Sequence, residues 1–342
     1  MNPQKVLSAK DPRNIEQAVG LLRQGGLVAF PTETVYGLGA DALNEKAVCR
    51  IFEAKKRPSF DPLIVHVASK EQAMTLWQET PALAKKLMDA FWPGPLTLVL
   101  PKSSIVPDVV TSGLVTVAVR MPHHEDALSL IRALGHPIAA PSANLFGCTS
   151  PTNAAHVWDE MSEQVDLVLD GGDSMVGLES TVLKIEPDGC VLLRPGAVTA
   201  EQLEKVVTLK RSSKTTDTIE SPGQMESHYA PWTPMILLEK PLEDCVMALT
   251  ATLAEFQERK QTAPRAGFIA FRHVPQTGSF ESVQILSEKG DLVQAAANLF
   301  QAMRKLDKMH LDFIVAEPVP EKGIGVAIMD RLRKASKKGF QC

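Results

Sequence analysis

No Cys-x-x-Cys pair occurs in this chain, and its five cysteines, Cys49, Cys148, Cys190, Cys245 and Cys342, are odd in number and scattered. That pattern excludes a disulfide framework and a cysteine-built zinc site, and it fits a reducing compartment. Aromatic residues fill only 5% of the 342 positions and the formal net charge is −4. Such a composition does not build the basic, aromatic-lined groove that binders of single-stranded nucleic acid use. No apolar run approaches the roughly 18 residues of a membrane-spanning helix, and the opening MNPQKVLSAKDPRN holds no apolar stretch of the signal-peptide kind. G-x-x-x-x-G-K-[ST] and G-x-S-x-G are both missing, which removes the P-loop and the usual hydrolase elbow. A cytoplasmic globular protein with no membrane segment, and with no stable nucleic-acid binding required, is expected.

What is present is an ordinary globular composition, 44% hydrophobic and 22% charged, in a chain long enough for two self-supporting cores. The first two hundred or so residues alternate short apolar strands with amphipathic helices, such as the helix opened by Asp11-Pro12 and stopped at Gly25-Gly26. Many short strands with few long crossovers suggest a mixed, twisted sheet with flanking helices. Near Thr208 the composition shifts to Ser, Thr and Pro, KRSSKTTDTIESPGQMESHYAPWTP, which cannot supply a core and reads as a linker able to drape over a neighbouring surface. Beyond it a cleaner βαβ pattern restarts, with strands from Met235, Gly267, Val283 and Phe313 and helices near Leu242 to Glu258, Leu292 to Leu306 and Val326 to Ala335. The expected division is therefore 1–208, a linker and lid loop at 209–234, and a smaller parallel, Rossmann-like α/β domain at 235–342.

The segment from Phe30 to His66, FPTETVYGLGADALNEKAVCRIFEAKKRPSFDPLIVH, gathers hydroxyls, cations and an imidazole within a few turns of chain. Lys55, Lys56 and Arg57 end a helix capped by Asn44. They serve either as solvated cations complementing the helix dipole or as a phosphate site. Lys55 and Arg57 converge only if the chain leaves the helix between them, a break the sequence assigns to Pro58. An Arg fork and a Lys point charge make a useful pair for a polyphosphate. Gly37 and Gly39 form a nominal G-x-G-x-x-A. The helix starts too late for a dinucleotide fingerprint, so these glycines are expected to supply turns close to a ligand.

Further along, Arg120 ends the alternating strand TVAVR, as a solvated rim residue or as a carboxylate clamp. His66, inside an apolar strand, reads equally as a satisfied core histidine or a pocket residue, and His123-His124 as surface. APSANLFGCTSPT places Ser142, Asn144 and Ser150 on a loop suited to phosphate or ribose oxygens, while GLESTV and LLRPGAV put Ser180 and Arg194 at strand boundaries.

These segments, in this order, resemble the YrdC family. FPTETVYGLG, the K-x-R pair of Lys55 and Arg57 before P-x-x-x-P-L-I-V-H, TVAVRMP, the S-x-N pair of APSAN, ESTV and LRPG span roughly residues 12 to 208. SPGQMESHYAP and GIGVAIMDRLRKAS resemble the interdomain loop and C-terminal helix of the family's longer, two-domain Sua-type members. The resemblance implies a nucleotidyltransferase that joins L-threonine, bicarbonate or CO2 and ATP into threonylcarbamoyl-AMP and pyrophosphate. That is the first step of threonylcarbamoyladenosine formation in tRNA, with the product passed to a downstream tRNA threonylcarbamoyl-transferase complex. It implies Mg²⁺ with the ATP, no metal held by the protein alone and no organic cofactor. It places Thr34, His66, Arg120, Ala140 and Ser180 around the threonine. Around the nucleotide it places Lys55, Arg57, Thr116, Ser142, Asn144, Ser150, Arg194 and, from the linker, Tyr229, with Lys55 and Arg57 carrying the catalysis. Asp61 stands where many relatives have Asn, next to the phosphates. The rival readings are an RNA-binding module and a carbamoyl-transfer domain acting on another protein; the latter needs accessory regions with Cys-x-x-Cys motifs.

Overall fold

The computed structural model describes residues 5–210, 221–223, 225, 228–240, 264–274 and 280–337. The expected helix from Leu242 to Glu258 and half of the linker, chiefly 211–220, lie outside the described residues. The chain divides into two compact units. One comprises Met1–Phe146 and Ser150–Met225; the other comprises Gly147–Thr149 and Glu226–Cys342.

The first unit runs β1 (Val6–Ser8), α1 (Pro12–Arg23), β2 (Val28–Phe30), β3 (Gly37–Asp41), α2 (Glu45–Lys55), β4 (Ile64–His66), α3 (Lys70–Thr75), α4 (Ala82–Phe91), β5 (Leu96–Pro101), β6 (Thr116–Arg120) and α5 (Glu125–Leu134). It continues through β7 (Ile138–Ala139), α6 (Ala154–Met161), β8 (Leu167–Asp170), β9 (Thr181–Glu186), β10 (Gly189–Arg194), α7 (Ala200–Leu203) and β11 (Leu209–Lys210). Its eleven strands make one mixed sheet in the order β1-β8-β2-β3-β7-β4-β6-β5-β9-β10-β11. Side-chain caps fix the helix starts. Asp11, Asn44 and Ser69 each accept a hydrogen bond from a backbone N–H of the first turn.

Period-two alternation sends the sheet's side chains into two cores. Val28 and Phe30 of β2 pack with Ile15, Val19 and Leu22 of α1 and with Leu130 and Ile131 of α5. Leu27 and Ala29 face the other way, among Val48, Ile51, Leu87 and Met88. Each of the larger apolar side chains among them stabilises the unit by about 1.5–3 kcal/mol relative to exposure.

One segment departs from the sequence-based expectation. Gly37 and Gly39 are not turn residues but lie in β3, antiparallel to β2, with Phe30 opposite Gly37. Neither has a positive φ. Glycine is needed there for space, since a Cβ on Gly39 would stand 2.8 Å from Ile138 Cγ2 and 2.9 Å from Phe30 Cε1. Gly39→Ala is therefore expected to destabilise this unit by about 1–3 kcal/mol through overpacking. A urea midpoint that falls with an unchanged m-value would report it, and an unmoved midpoint would show that the neighbours yield.

Among its described residues the second unit carries four strands, β12 (Met235–Leu237), β13 (Ala266–Ala270), β14 (Ser282–Ile285) and β15 (Phe313–Ala316), and helices at Leu292–Asp307 and Gly325–Ser336. Every pairing in its sheet is parallel and the order is β12-β15-β13-β14. Its two central strands, β15 and β13, are buried throughout, as a parallel sheet flanked by helices requires.

Candidate active site

The turn after β2 is built by one hydroxyl. Thr32 Oγ1 accepts from the backbone N–H groups of Thr34 and Val35, at 3.2 Å each, and donates to Val35 O at 2.6 Å. Its proton is thereby spent, so in the 2.8 Å contact between the two hydroxyls Thr34 donates and Thr32 accepts. Thr34 Oγ1 in turn accepts from Arg120 Nη1 at 2.7 Å. The Arg120 guanidinium also donates from Nε to Gly94 O at 3.2 Å, and its Nη2 lies 2.6 Å from Glu33 Oε2. Arg120 and Glu33 are each only 3% exposed. The solvated-rim reading of Arg120 is excluded: it is a buried cation held on three sides.

His66 ends β4 in register with Arg120 on β6. Its ring meets Phe30 edge-on, with centroids 5.9 Å apart, and Nδ1 has no hydrogen-bond partner among the described residues. Burial, reinforced by the Arg120 charge, pushes its pKa down from 6.5 to about 3. The unfolded chain thus binds this proton more readily than the native one. The stabilisation from a neutral His66 is fully present above pH 6.5 and is lost as the pH falls toward 3. We expect the His66 ring protons to show no NMR titration between roughly pH 5 and 8, the window of an ordinary histidine. An inflection inside it would contradict this burial.

A second group surrounds Asp61. Helix α2 ends at Lys55 because Lys56 turns left-handed, with φ of +52. This residue, rather than Pro58, takes the chain out of the helix and lets its neighbours converge. Lys56 itself is exposed, while Lys55 and Arg57 are buried, so the solvated-cation reading holds only for Lys56. Lys55 Nζ donates to the carbonyls of Ser142, at 2.6 Å, and of Asn144. Arg57 donates from Nε to Asp61 O at 3.0 Å and from Nη2 to Pro62 O at 2.9 Å, with Asp61 Oδ2 also 2.9 Å from Nη2. Burial raises the Asp61 pKa, opposed by the charges of Arg57, Lys55 and Arg194. Three cations from two segments, the exit of α2 and the end of β10, therefore face one carboxylate, and the balance is positive.

Arg194, at the end of β10, connects this group to Ser180. Its Nε and Nη2 donate to Ser180 O and Oγ, both at 3.1 Å, and its Nη1 donates to Pro222 O at 3.1 Å. Ser180 Oγ also lies 2.7 Å from Thr97 Oγ1. The Ser150 hydroxyl donates to the buried Glu179 carboxylate. Ala140 is buried beside β4, and its N–H is given to Ile64 O at 2.9 Å. Thr116 is half-buried at the opposite end of β6 from Arg120, about 13 Å along the strand. Tyr229 lies in the second unit with φ of +65, its ring 5.8 Å from Phe300 and 4.9 Å from the Arg331 guanidinium.

Sequence reasoning missed Glu33, Thr97 and Glu179. Glu33 had one usable signal, an acid between two threonines in an otherwise apolar stretch. Its partner is far away in sequence and no spacing predicts it. His124, expected at the surface from its sequence, has a side chain only 15% exposed, with Asp126 Oδ2 3.9 Å from its Nδ1. Among the described residues no three His, Cys, Asp or Glu side chains cluster as a metal site, and no helix is long and apolar enough to cross a membrane.

Comparison with known proteins gives a consistent result. The Sua5/YciO/YrdC family model, described as telomere recombination, matches residues 20–196. A second model, described as the C-terminal domain of threonylcarbamoyl-AMP synthase, matches residues 198–337. A threonylcarbamoyl-AMP synthase of Pyrococcus abyssi is 47% identical over 327 residues, 94% of each chain. One of Bacillus subtilis is 45% identical, covering 96% of this chain and 94% of its own. The crystal structure of P. abyssi Sua5 complexed with L-threonine matches with a TM-score of 0.89 and 45% identity over 97% of both chains.

Proposed function

This chain belongs to the Sua5/YciO/YrdC family, and from that membership we infer that it is a threonylcarbamoyl-AMP synthase. Its substrates are then L-threonine, bicarbonate or CO2, and ATP brought as its magnesium complex; the products are threonylcarbamoyl-AMP and pyrophosphate. Threonine and bicarbonate first condense to a carbamate with loss of water. A carbamate oxygen then attacks the α-phosphorus of ATP, and pyrophosphate leaves.

The observation that carries this reading is the pairing of two unlike groups in one unit. Arg120, Thr34, Ser180 and His66 suit a small amino acid, and Lys55, Arg57 and Arg194 suit a polyphosphate. Arg120 provides a fork for the threonine carboxylate. His66 and Ala140 line the threonine side as uncharged walls, the imidazole kept neutral by burial. Lys55, Arg57 and Arg194 neutralise charge gathering on the phosphates. Ser142, Asn144, Ser150 and Thr116 contact the nucleotide. Asp61 tempers the cations and presents a carboxylate that can face the magnesium carried by ATP. No protein nucleophile is required, since the chemistry rests on orientation and on cations aimed where charge develops.

The test is pyrophosphate release from ATP with threonine and bicarbonate omitted in turn. Release that needs both supports the reading; release indifferent to threonine overturns its acceptor. The finer assignments, that the product goes to a tRNA-modifying complex and that the protein works in the cytoplasm, rest on the family's chemistry.

A further inference from the structure

Glu33 is a carboxylate that this chemistry has not yet used, and it lies inside the candidate site. It is 3% exposed and 2.6 Å from Arg120 Nη2, with no hydrogen-bond partner for either oxygen among the described residues. Leaving a buried carboxylate without donors is costly, so such a group calls for a ligand that supplies them. Its neighbour Thr34 Oγ1 has spent its proton on Thr32 and offers only acceptor capacity. This corner of the site therefore presents acceptors beside the fork of Arg120. An α-amino acid zwitterion has the matching pattern, with an ammonium bearing three donors next to a carboxylate.

Resting on the synthase reading, we propose that Glu33 binds the α-ammonium of the incoming amino acid while Arg120 binds its carboxylate, making the pair a receptor for the zwitterion. Backbone contacts hold the carboxylate in place: Val176 N–H donates to Glu33 O at 2.8 Å, and Ser174 Oγ donates to Thr32 O at 3.0 Å. The charged and titratable groups around it are Arg120 from β6, His66 from β4 beside Arg120, and His124 at the head of α5. Behind His124 lies Asp126, which is paired with Lys10 at 2.9 Å. The same pairing accounts for discrimination. A hydroxy acid without the amine brings no donors to Glu33 and leaves it only the neighbouring Arg120 charge, while an amine without the carboxylate leaves the Arg120 fork only Glu33 as its anion.

The experiment compares wild type and Glu33→Gln in threonine-dependent pyrophosphate release across pH, with 3-hydroxybutyrate, which is threonine without its amine, as a competitive inhibitor. At neutral pH the variant's threonine KM is expected to rise roughly ten- to a hundredfold, the range of a lost charged hydrogen bond, with a much smaller change in kcat. The KM ratio narrows as the pH rises through the substrate amine's pKa, because a neutral amine no longer needs the carboxylate. The inhibitor binds both proteins alike. A KM ratio that does not depend on pH, with the inhibitor weakened as much as threonine, would overturn the proposal and leave Glu33 as a brace for Arg120. If Glu33→Gln does not fold, wild type alone decides, since 3-hydroxybutyrate binding as tightly as threonine also overturns it. Absence of threonine-dependent release in wild type would count against the synthase reading, a result distinct from either.

Discussion

Arg57→Ala is expected to lower the turnover number for pyrophosphate release by about 10²–10³-fold, the usual loss when a preorganised donor to developing charge is removed. The same substitution also removes the Asp61 counter-ion, and breaking a buried pair costs roughly 3–5 kcal/mol. Turnover and stability would then fall together and could not be told apart. Asp61 provides the separation. Its carboxyl is buried, and its partners are the Arg57 fork and the fields of Lys55 and Arg194. Adding Asp61→Asn to Arg57→Ala removes the orphaned charge, so most of the stability should return while turnover stays low. A turnover number that recovers with stability would mean that Arg57 only holds the Asp61–Pro62 loop. Asp61 also sets a pH signature. Burial raises its pKa above the ordinary 3.8, so the native chain binds its proton more readily than the unfolded chain. The group's contribution to stability therefore falls as pH rises through that window, and Asp61→Asn should flatten the trend.

Arg120→Lys should raise the threonine KM by on the order of 10²–10³-fold, as expected for one partner of a buried hydrogen-bonded charge pair, while leaving the KM for ATP close to wild type. The charge survives the substitution but the geometry does not. The guanidinium reaches Gly94 O, Thr34 Oγ1 and Glu33 at once. A single ammonium cannot hold those directions and still present a fork to a carboxylate. Steady-state kinetics with threonine varied at saturating ATP would measure it. An unchanged threonine KM would show that Arg120 serves the fold rather than the substrate.

Much of this architecture was legible because local chemistry dictates it. Asp11 and Asn44 announce helix starts, and each caps a helix there, Pro12–Arg23 and Glu45–Lys55. The second unit's parallel sheet follows from four short apolar runs, although their lateral order, β12-β15-β13-β14, is carried by no local signal. Strand β3 is hidden in the sequence because glycines at Gly37 and Gly39 look like turn residues. Their actual reason, the closeness of Phe30 and Ile138, exists only once the sheet has formed. The cations of the site could be picked out one by one, and burial then separates Lys55 and Arg57 from the exposed Lys56. The acids were harder. Glu33 and Glu179 acquire their partners, Arg120 and Ser150, only through tertiary structure, and Asp61 was noted in the sequence without its place among three cations.

The most direct measurement of the central claim is mass spectrometry of the nucleotide product formed from ATP, L-threonine and ¹³C-bicarbonate. The account predicts threonylcarbamoyl-AMP whose carbamoyl carbon carries the label, with pyrophosphate released in equal amount. An unlabelled product, or AMP and pyrophosphate accumulating without a threonine adduct at the earliest times, would contradict it.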